Sequence, residues 1–184
     1  GRVFIFLGGS GGFPAAPSVT LSGTEVGGHF GWSVARAGDI NGDGADDLLV
    51  GAPDETGGGT ARGRAYLFTS AGAVPLLTFS GGEDNSRFGW SVDTAGDMNA
   101  DGYFDMAVGA PRDDDDANTT EDGLNRGRVF LYLGGPSPDN SVDKLFVGVE
   151  NGAETGTRTG AQAAGSPIDW VMQSSGPTEN PAET

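Results

Sequence analysis

Short apolar segments alternate with turn-forming residues along most of the chain. Segments 3–7, 48–50 and 129–133 are examples, and each is bounded by Gly, Pro, Asn, Asp or Ser. No apolar pattern of helical period continues for the length of a capped helix, whereas short apolar runs between turn signals are typical of β-strands. We therefore predict an all-β fold with many turns.

The pattern is repeated along the chain. Phe-Gly-Trp-Ser-Val begins at Phe30 and again at Phe88, and Val-Gly-Ala-Pro begins at Val50 and again at Val108, an offset of 58 residues in both cases. Gly-Arg before an apolar run occurs three times, at 1–2, 63–64 and 127–128. Several identities at one offset indicate an internal repeat, which has to be recognised before a fold is assigned.

Each repeat predicts four short strands. The predicted strands are 30–35, 47–51, 64–68 and 76–80 in the first unit, 88–93, 105–109, 128–133 and 144–148 in the second, and 2–7 and 18–22 before them. Tandem four-stranded antiparallel units of this length are typical of β-propeller blades. We predict about two full blades plus half-blades, which is incomplete as a closed propeller because closure needs about four to eight blades.

The chain is predicted to have two regions. Residues 1–149 form the blade repeats, and residues 150–184 combine a degenerate third repeat with an extended tail rich in Ser, Pro, Glu and Thr. If the half-units are completed by neighbouring molecules, segment 150–172 is the part that would be donated, by β-strand addition. The other possibility is that the chain is a fragment of a full propeller or a processed product, since it begins with Gly1 instead of Met.

Two Asp-rich loops carry the candidate chemistry, the first loop at 39–47 and the second loop at 97–105. Both have oxygen-bearing side chains at loop positions 1, 3, 5 and 9 and glycine at position 6, and position 7 offers a backbone carbonyl. Ca²⁺ takes six to eight oxygen ligands of this kind, whereas Mg²⁺ demands stricter geometry. We predict about two Ca²⁺ ions. The predicted ligands are Asp39, Asn41, Asp43, Ala45 and Asp47, and Asp97, Asn99, Asp101, Tyr103 and Asp105.

An EF-hand and a plain hairpin turn are the two other interpretations of these loops. An EF-hand needs a Glu at position 12 and flanking helices, but position 12 is Val50 or Val108 within strand sequence. A plain hairpin turn is the second alternative, because Asn-Gly and Asp-Gly are strong hairpin signals. Two copies that share four ligand positions favour calcium over the turn.

The chain resembles a known family at these residues. Phe-Gly, then Gly-Asp-x-Asn-x-Asp-Gly-x-x-Asp, then Gly-Ala-Pro is similar to the FG-GAP repeat of integrin α-subunit propellers, over residues 1 to about 149. The resemblance implies β-propeller blades with calcium between the first two strands. It also implies an extracellular or cell-surface location and a role in molecular interaction instead of catalysis. It departs in blade number, since propellers of that family typically have seven.

The net charge of the chain limits the kinds of partner that it can bind. The chain has ten Lys plus Arg against 26 Asp plus Glu, a formal net charge of −16, which argues against nucleic acid or an anionic membrane surface as a partner. No segment approaches the roughly 20 apolar residues of a membrane span. The expected partners are other proteins, or further copies of the chain bound at open sheet edges. A sequon at Asn118 offers a possible glycan site.

We therefore expect a non-enzymatic, extracellular, calcium-binding structural or adhesion protein, which assembles into an oligomer or filament by strand complementation. The alternative is a non-catalytic binding module of a larger secreted enzyme or cell-surface receptor. No catalytic constellation is recognisable. Trp32 and Trp90 are expected in the blade core, and the acidic run from Asp113 to Asp116 is expected as a solvated loop tip, with a loose additional calcium site as its alternative.

Overall fold

The computed structural model describes residues 1–10, 12, 14–69, 72–113 and 127–148. All ten elements in these residues are β-strands, which confirms the predicted all-β fold. The described residues contain no helix of the length and hydropathy that a membrane crossing requires. The predicted third unit with its tail, the sequon at Asn118 and residues 114–116 of the acidic run lie outside the described residues.

The strands form one two-stranded and two four-stranded antiparallel sheets, each in chain order. The leading hairpin is β1 (Arg2–Ile5) and β2 (Val19–Ser22); the first blade is β3 (Ser33–Gly38), β4 (Asp47–Ala52), β5 (Arg64–Phe68) and β6 (Leu77–Ser80); the second blade is β7 (Ser91–Gly96), β8 (Asp105–Ala110), β9 (Arg128–Tyr132) and β10 (Lys144–Val147). None of the sheets is closed on itself, so they are open blades of propeller type, as the repeat predicts.

The first blade is apolar on both faces, and this requires it to be stacked between two neighbours. Successive side chains of a strand point to opposite faces of its sheet. Leu49 of β4 accordingly packs toward the second blade, whereas its neighbour Val50 packs toward the leading hairpin, and both are fully buried. An ordinary antiparallel sheet with one wet face would alternate apolar and polar residues instead.

Two hydrophobic cores result from this stacking. One lies between the hairpin and the first blade, and the other lies between the two blades. The first core contains Leu21, Phe30, Val50, Ala52, Tyr66 and Phe68. The second core contains Ala37, Ile40, Leu49, Ala65, Leu67, Phe79, Phe88, Val92, Met106, Val108, Ala110 and Tyr132.

The first strand of each blade begins later than predicted. The Phe-Gly-Trp segment forms a turn, in which the Trp32 N–H donates to the His29 carbonyl at 2.9 Å. His29 and Gly31 both have positive φ, 55° and 86°, a region that extended strand residues do not occupy. The strand therefore starts at Ser33 in the first blade, and the second blade repeats the turn before Ser91.

The prediction that both tryptophans lie in the core is wrong, since Trp90 is only half-buried and outside both hydrophobic cores, and Trp32 is exposed. Its side chain is 51% exposed, because the turn that carries it lies beyond the end of the sheet. Its ring packs against that of Trp90 with centroids 4.8 Å apart, and the Arg87 guanidinium lies 5.1 Å from the centroid of the Trp90 ring. The pair therefore joins the rims of the two blades.

Phe88→Ala should strongly lower the free energy of unfolding, because Phe88 lies in the core between the blades. Phe88 is fully buried and its ring meets those of Phe130 and Tyr132 edge-on. Removing a buried Phe side chain costs about 3–5 kcal/mol, measured as the free energy of unfolding in urea. Val26→Ala, at an exposed position, is the control and should change it by less than about 0.5 kcal/mol. A Phe88→Ala effect as small as the control's would contradict the stacked core.

Candidate functional site

Each Asp-rich loop starts at a β-bulge. The register of β3 against β4 shifts between Arg36 and Gly38, which places Gly38 opposite Asp47. The same shift in the second blade places Gly96 opposite Asp105. Both glycines have positive φ, 80° and 70°, which suits the extra residue of a bulge and strains a side-chain-bearing residue. The bulge therefore places the residue before loop position 1 opposite position 9.

The first loop is organised around Asp39. Its carboxylate accepts hydrogen bonds from the backbone N–H groups of residues 42–44, at 2.7, 3.0 and 2.9 Å. The Asn41 side-chain oxygen accepts from the Asp43 N–H at 2.8 Å, and Asp43 Oδ1 accepts from the Ala45 N–H at 2.9 Å. The side chains at positions 1, 3 and 5 are thus gathered on the inner side of one tight turn.

The second loop has the same internal pattern. Asp97 accepts from the backbone N–H groups of Asp101 and Gly102 at 3.0 and 2.9 Å. Asn99 Oδ1 accepts from the Asp101 N–H at 3.1 Å, and Asp101 Oδ1 accepts from the Tyr103 N–H at 2.9 Å. The repeated ligand spacing therefore corresponds to a repeated local structure.

The aspartates at position 9 are the buried members of the two loops. Asp47 and Asp105 are 2% and 0% exposed. Asp47 Oδ2 accepts from the Ile40 N–H at 3.2 Å, and Asp105 Oδ2 accepts from the Met98 N–H at 2.7 Å. Each therefore holds the backbone at position 2 of its own loop, on the sheet side of the turn.

The donor set of each loop fits a hard cation such as Ca²⁺, which takes carboxylate, amide and carbonyl oxygens. A carboxylate has about four acceptor positions, and Asp43 receives two hydrogen bonds within the loop, so acceptor capacity remains. No group of three or more His, Cys, Asp or Glu side chains is arranged to hold a metal ion in the part of the chain that the structure describes. The side chains at positions 1, 3 and 5 are brought together within the loop, the one at position 9 accepts from the backbone at position 2, and the ligand set stays a prediction.

A second repeated polar cluster lies at the opposite end of the sheets, where the sequence analysis assigned no role. Arg64 Nη1 lies 2.8 Å from Glu25 Oε1 and 3.4 Å from Glu55 Oε2. Glu55 is fully buried, and its Oε2 also accepts a hydrogen bond from the Tyr66 hydroxyl. Glu25 follows β2, so Arg64 joins the leading hairpin to the first blade.

The second blade repeats this cluster. Arg128 Nη1 lies 2.7 Å from Asp113 Oδ1 and 3.4 Å from Glu83 Oε1. Asp113 is 1% exposed, so the expectation of a solvated acidic tip is wrong for this residue: its carboxylate is buried against a guanidinium. Glu83 follows β6, and Arg128 therefore joins the first blade to the second. The recurring Gly-Arg pairs were the sequence signal for both clusters.

The Arg64 cluster shifts the pKa of Glu25 and of Tyr66. The pKa of Glu25 lies below its usual value, mainly because the Thr56 N–H donates to its carboxylate, and the Arg64 charge lowers it further. Burial raises the pKa of Tyr66 to about 12, and its hydrogen bond to Glu55 raises it too. Glu25 therefore stays ionised to a lower pH, and Tyr66 stays neutral to a higher pH, than the free side chains do.

Tandem four-stranded antiparallel sheets, with an Asp-rich loop between the first and second strands of each, define a protein built of propeller-type blades. Residues 30–68 and 88–132 match the FG-GAP repeat. The chain therefore belongs to the FG-GAP repeat family, and the two matched segments coincide with the first three strands of the two blades.

The chain is also similar to integrin α subunits. It is 36% identical over 127 residues to Integrin alpha-PS2 of Drosophila melanogaster, 38% over 124 residues to Integrin alpha-5 of Xenopus laevis, and 43% over 138 residues to Integrin alpha-3 of Cricetulus griseus. These alignments cover 63%, 63% and 72% of this chain, but only 8%, 11% and 12% of the relatives. The chain thus spans about a tenth of the length of these relatives.

The cluster around Arg64 predicts that the Tyr66 phenol loses its proton at a higher pH than a free tyrosine does. The neutral form of Tyr66 is favoured by the fold, so its contribution to stability is complete below pH 10 and is lost as the pH rises toward about 12. Phenolate absorbance should show a step near pH 12 that is missing from Tyr66→Phe. Tyr103→Phe is the control and should keep that step. An unchanged titration curve in Tyr66→Phe would contradict the buried contact with Glu55.

Proposed function

We propose that this protein is a cation-stabilised, propeller-type module of an extracellular or cell-surface adhesion protein. Two FG-GAP repeats and the similarity to integrin α subunits support an interaction role. The observation that carries the proposal is the pair of matching Asp-rich loops, each folded at the same bulge between the first two strands of a blade. The module acts by binding protein partners and carries out no reaction of its own.

The cation in this proposal is Ca²⁺, with one ion in each loop. Asp39, Asn41, Asp43 and Asp47 bind it in the first loop together with the carbonyl of Ala45. The second loop uses the equivalent residues, Asp97, Asn99, Asp101 and Asp105 with the carbonyl of Tyr103. An all-oxygen set in a tight loop supports Ca²⁺ over transition metals, and the ion offsets the mutual repulsion of the loop aspartates.

Calcium removal should lower the thermal stability of the protein. A ligand that binds only the folded state at 100 times its Kd adds about 2.7 kcal/mol per site, and each kcal/mol raises Tm by roughly 2–4 °C in a chain of this size. We therefore expect EDTA to lower Tm by roughly 10 °C or more relative to calcium-saturated protein. An identical Tm under both conditions would refute the calcium assignment.

Matched variants in the first loop sharpen this experiment. Asp43→Asn removes a proposed ligand charge, whereas Asp46→Asn removes a charge from the same loop at a position that pairs with Arg36 at 2.6 Å. Asp43→Asn should reduce the calcium-dependent rise in Tm, and Asp46→Asn should preserve it. Equal losses in both variants would point to general charge screening instead of coordination.

Strand complementation between copies is a second candidate activity, favoured by the leading hairpin. By repeat position, β1 and β2 are the third and fourth strands of a blade, and among the described residues β1 pairs with β2 alone. Phe4 and Leu7 are 52% and 65% exposed. Two further strands, from a longer polypeptide or from a neighbouring copy, would cover this edge. If the strands come from a longer polypeptide, the module belongs to a larger secreted enzyme or receptor.

Light scattering coupled to gel filtration distinguishes these cases for the 184-residue chain. Complementation predicts species larger than 18.6 kDa, whose proportion rises with concentration by mass action. Because the donor and acceptor surfaces differ, these species should be rings or open filaments. Phe4→Lys on the exposed face of β1 should reduce the larger species, while Val74→Lys, at an exposed loop position, serves as the control. A folded monomer at all concentrations would exclude self-assembly.

A further inference from the structure

The two Asp-rich loops lie against each other across the interface between the blades. A methyl group built on Gly42 of the first loop would lie 2.6 Å from Cε1 of Tyr103 in the second loop. One built on Gly38 would lie 2.4 Å from Cγ of Phe104. The side chains at positions 7 and 8 of the second loop therefore rest directly on the backbone of the first loop.

A chain of hydrogen bonds joins the two buried aspartates. Asp47 Oδ2 accepts from the Ile40 N–H at 3.2 Å, and the Ile40 carbonyl accepts from the Gly135 N–H at 2.9 Å. The adjacent Gly134 N–H donates to Asp105 Oδ1 at 2.9 Å. The position-9 aspartates of the two loops are thus connected through Ile40 and the Gly134–Gly135 pair.

The connection is tight, and both of its ends are buried. A methyl group on Gly134 would lie 2.1 Å from the Phe104 carbonyl oxygen and 3.0 Å from that of Ile40, so glycine is required there. Asp47, Ile40 and Asp105 are all at most 2% exposed. Hydrogen bonds to these buried groups are stronger than they would be in water, because the local dielectric is low.

The contacts between the two loops are not reciprocal. Ile40, at position 2 of the first loop, is fully buried, whereas Met98 at the same position of the second loop is 45% exposed. A second contact also places the second loop on the first: the Phe104 N–H donates to the Asp39 carbonyl at 3.3 Å. The first loop is therefore covered by the second, while the equivalent side of the second loop is open among the described residues.

We infer that the two loops bind cations cooperatively, with Gly134, Gly135 and Tyr103 as the positioning residues that couple them. This inference rests on the proposed cation binding. A cation in the second loop holds Asp105, which fixes Gly134–Gly135 against the Ile40 carbonyl. Part of the ordering that the first loop needs is then already complete, and this makes the second binding event tighter.

Direct repulsion between the two cations opposes this coupling. At physiological ionic strength the Debye length is about 8 Å, so the experiment is done at 0.15 M salt, where long-range repulsion is weakened. The hydrogen-bonded connection is unaffected by screening. The coupling measured under these conditions therefore reports the contacts between the loops.

A calcium titration followed by ¹⁵N NMR of the full chain tests the coupling, with the Gly44 amide reporting on the first loop. In Asp97→Asn/Asp101→Asn, which damages only the second loop, the Kd of the first loop should rise by about five-fold or more. Asp139→Asn, an exposed residue outside both loops, is the charge control and should leave that Kd unchanged. An unchanged Kd in the double variant would overturn the inference.

Tyr103 provides an independent variant that keeps every proposed ligand. Tyr103→Ala retains the backbone carbonyl but removes the ring from Gly42, so it should weaken calcium binding at the first loop several-fold. Tyr103→Phe retains the ring contact and should restore the wild-type affinity. Equal affinities in both variants would contradict a coupling role for the ring.

A calcium-free measurement separates this inference from the proposed function. Without cation, Asp105→Asn should shift the Ile40 and Gly135 amide resonances, whereas Asp101→Asn, in the same loop but outside the hydrogen-bonded chain, should not. Tyr103→Ala gives the same test at the Gly42 amide if Asp105→Asn does not fold. If calcium leaves the amide resonances of the wild-type protein unchanged, the proposed function is wrong. If these variants leave the amide resonances of the first loop unchanged, the hydrogen-bonded connection is wrong.

Discussion

The stacking of sheets that are apolar on both faces is the constraint on which the rest of this structure depends. A four-stranded sheet with Leu49 on one face and Val50 on the other cannot bury both sides within itself. It folds only with a neighbour on each side, as in other repeat architectures where each unit completes the core of the next. Every contact that joins the units follows from this stacking, including the two cores, the tryptophan pair and the contact between the loops.

Polar contacts fasten the stacked sheets at both ends. At one end, the bulges and Asp-rich loops hold the first two strands of each blade, and the second loop packs on the first. At the other end, Arg64 and Arg128 each join an acidic residue of the preceding unit to a buried acid of their own blade. Buried charges are tolerated there because each has an opposite charge within hydrogen-bonding distance. Removing one partner would leave an uncompensated charge in the interface.

This organisation suits a module that presents a stable surface to protein partners. Asp39 and Asp97 directly follow the bulges, so a cation bound there would stiffen the rim of the blades. The arginine clusters are already satisfied by the chain's own carboxylates at neutral pH. The two ends of the sheets therefore differ: one is fixed by internal ion pairs, and the other is suited to an external ion.

The sequence by itself determined the features whose information is local. The strand patterns and the spacing of oxygen side chains in both loops depend on residues a few positions apart, and the 58-residue offset is a direct comparison of sequence with sequence, so the blade class and the repeated loops were predictable. The start of the first strand was not, because the positive φ of His29 and Gly31 turns an apparently strand-like Phe-Gly-Trp segment into a turn.

Only the tertiary structure decided which distant residues meet. Asp113 looked like a solvated acid until the fold placed it against Arg128, and Trp32 looked like a core residue until its turn carried it past the end of the sheet. The contact of Tyr103 with Gly42 joins residues 61 positions apart. Sequence periodicity specifies which face of a strand is apolar, but the partner of that face is fixed only when whole sheets stack, because burial is a property of the assembled layers.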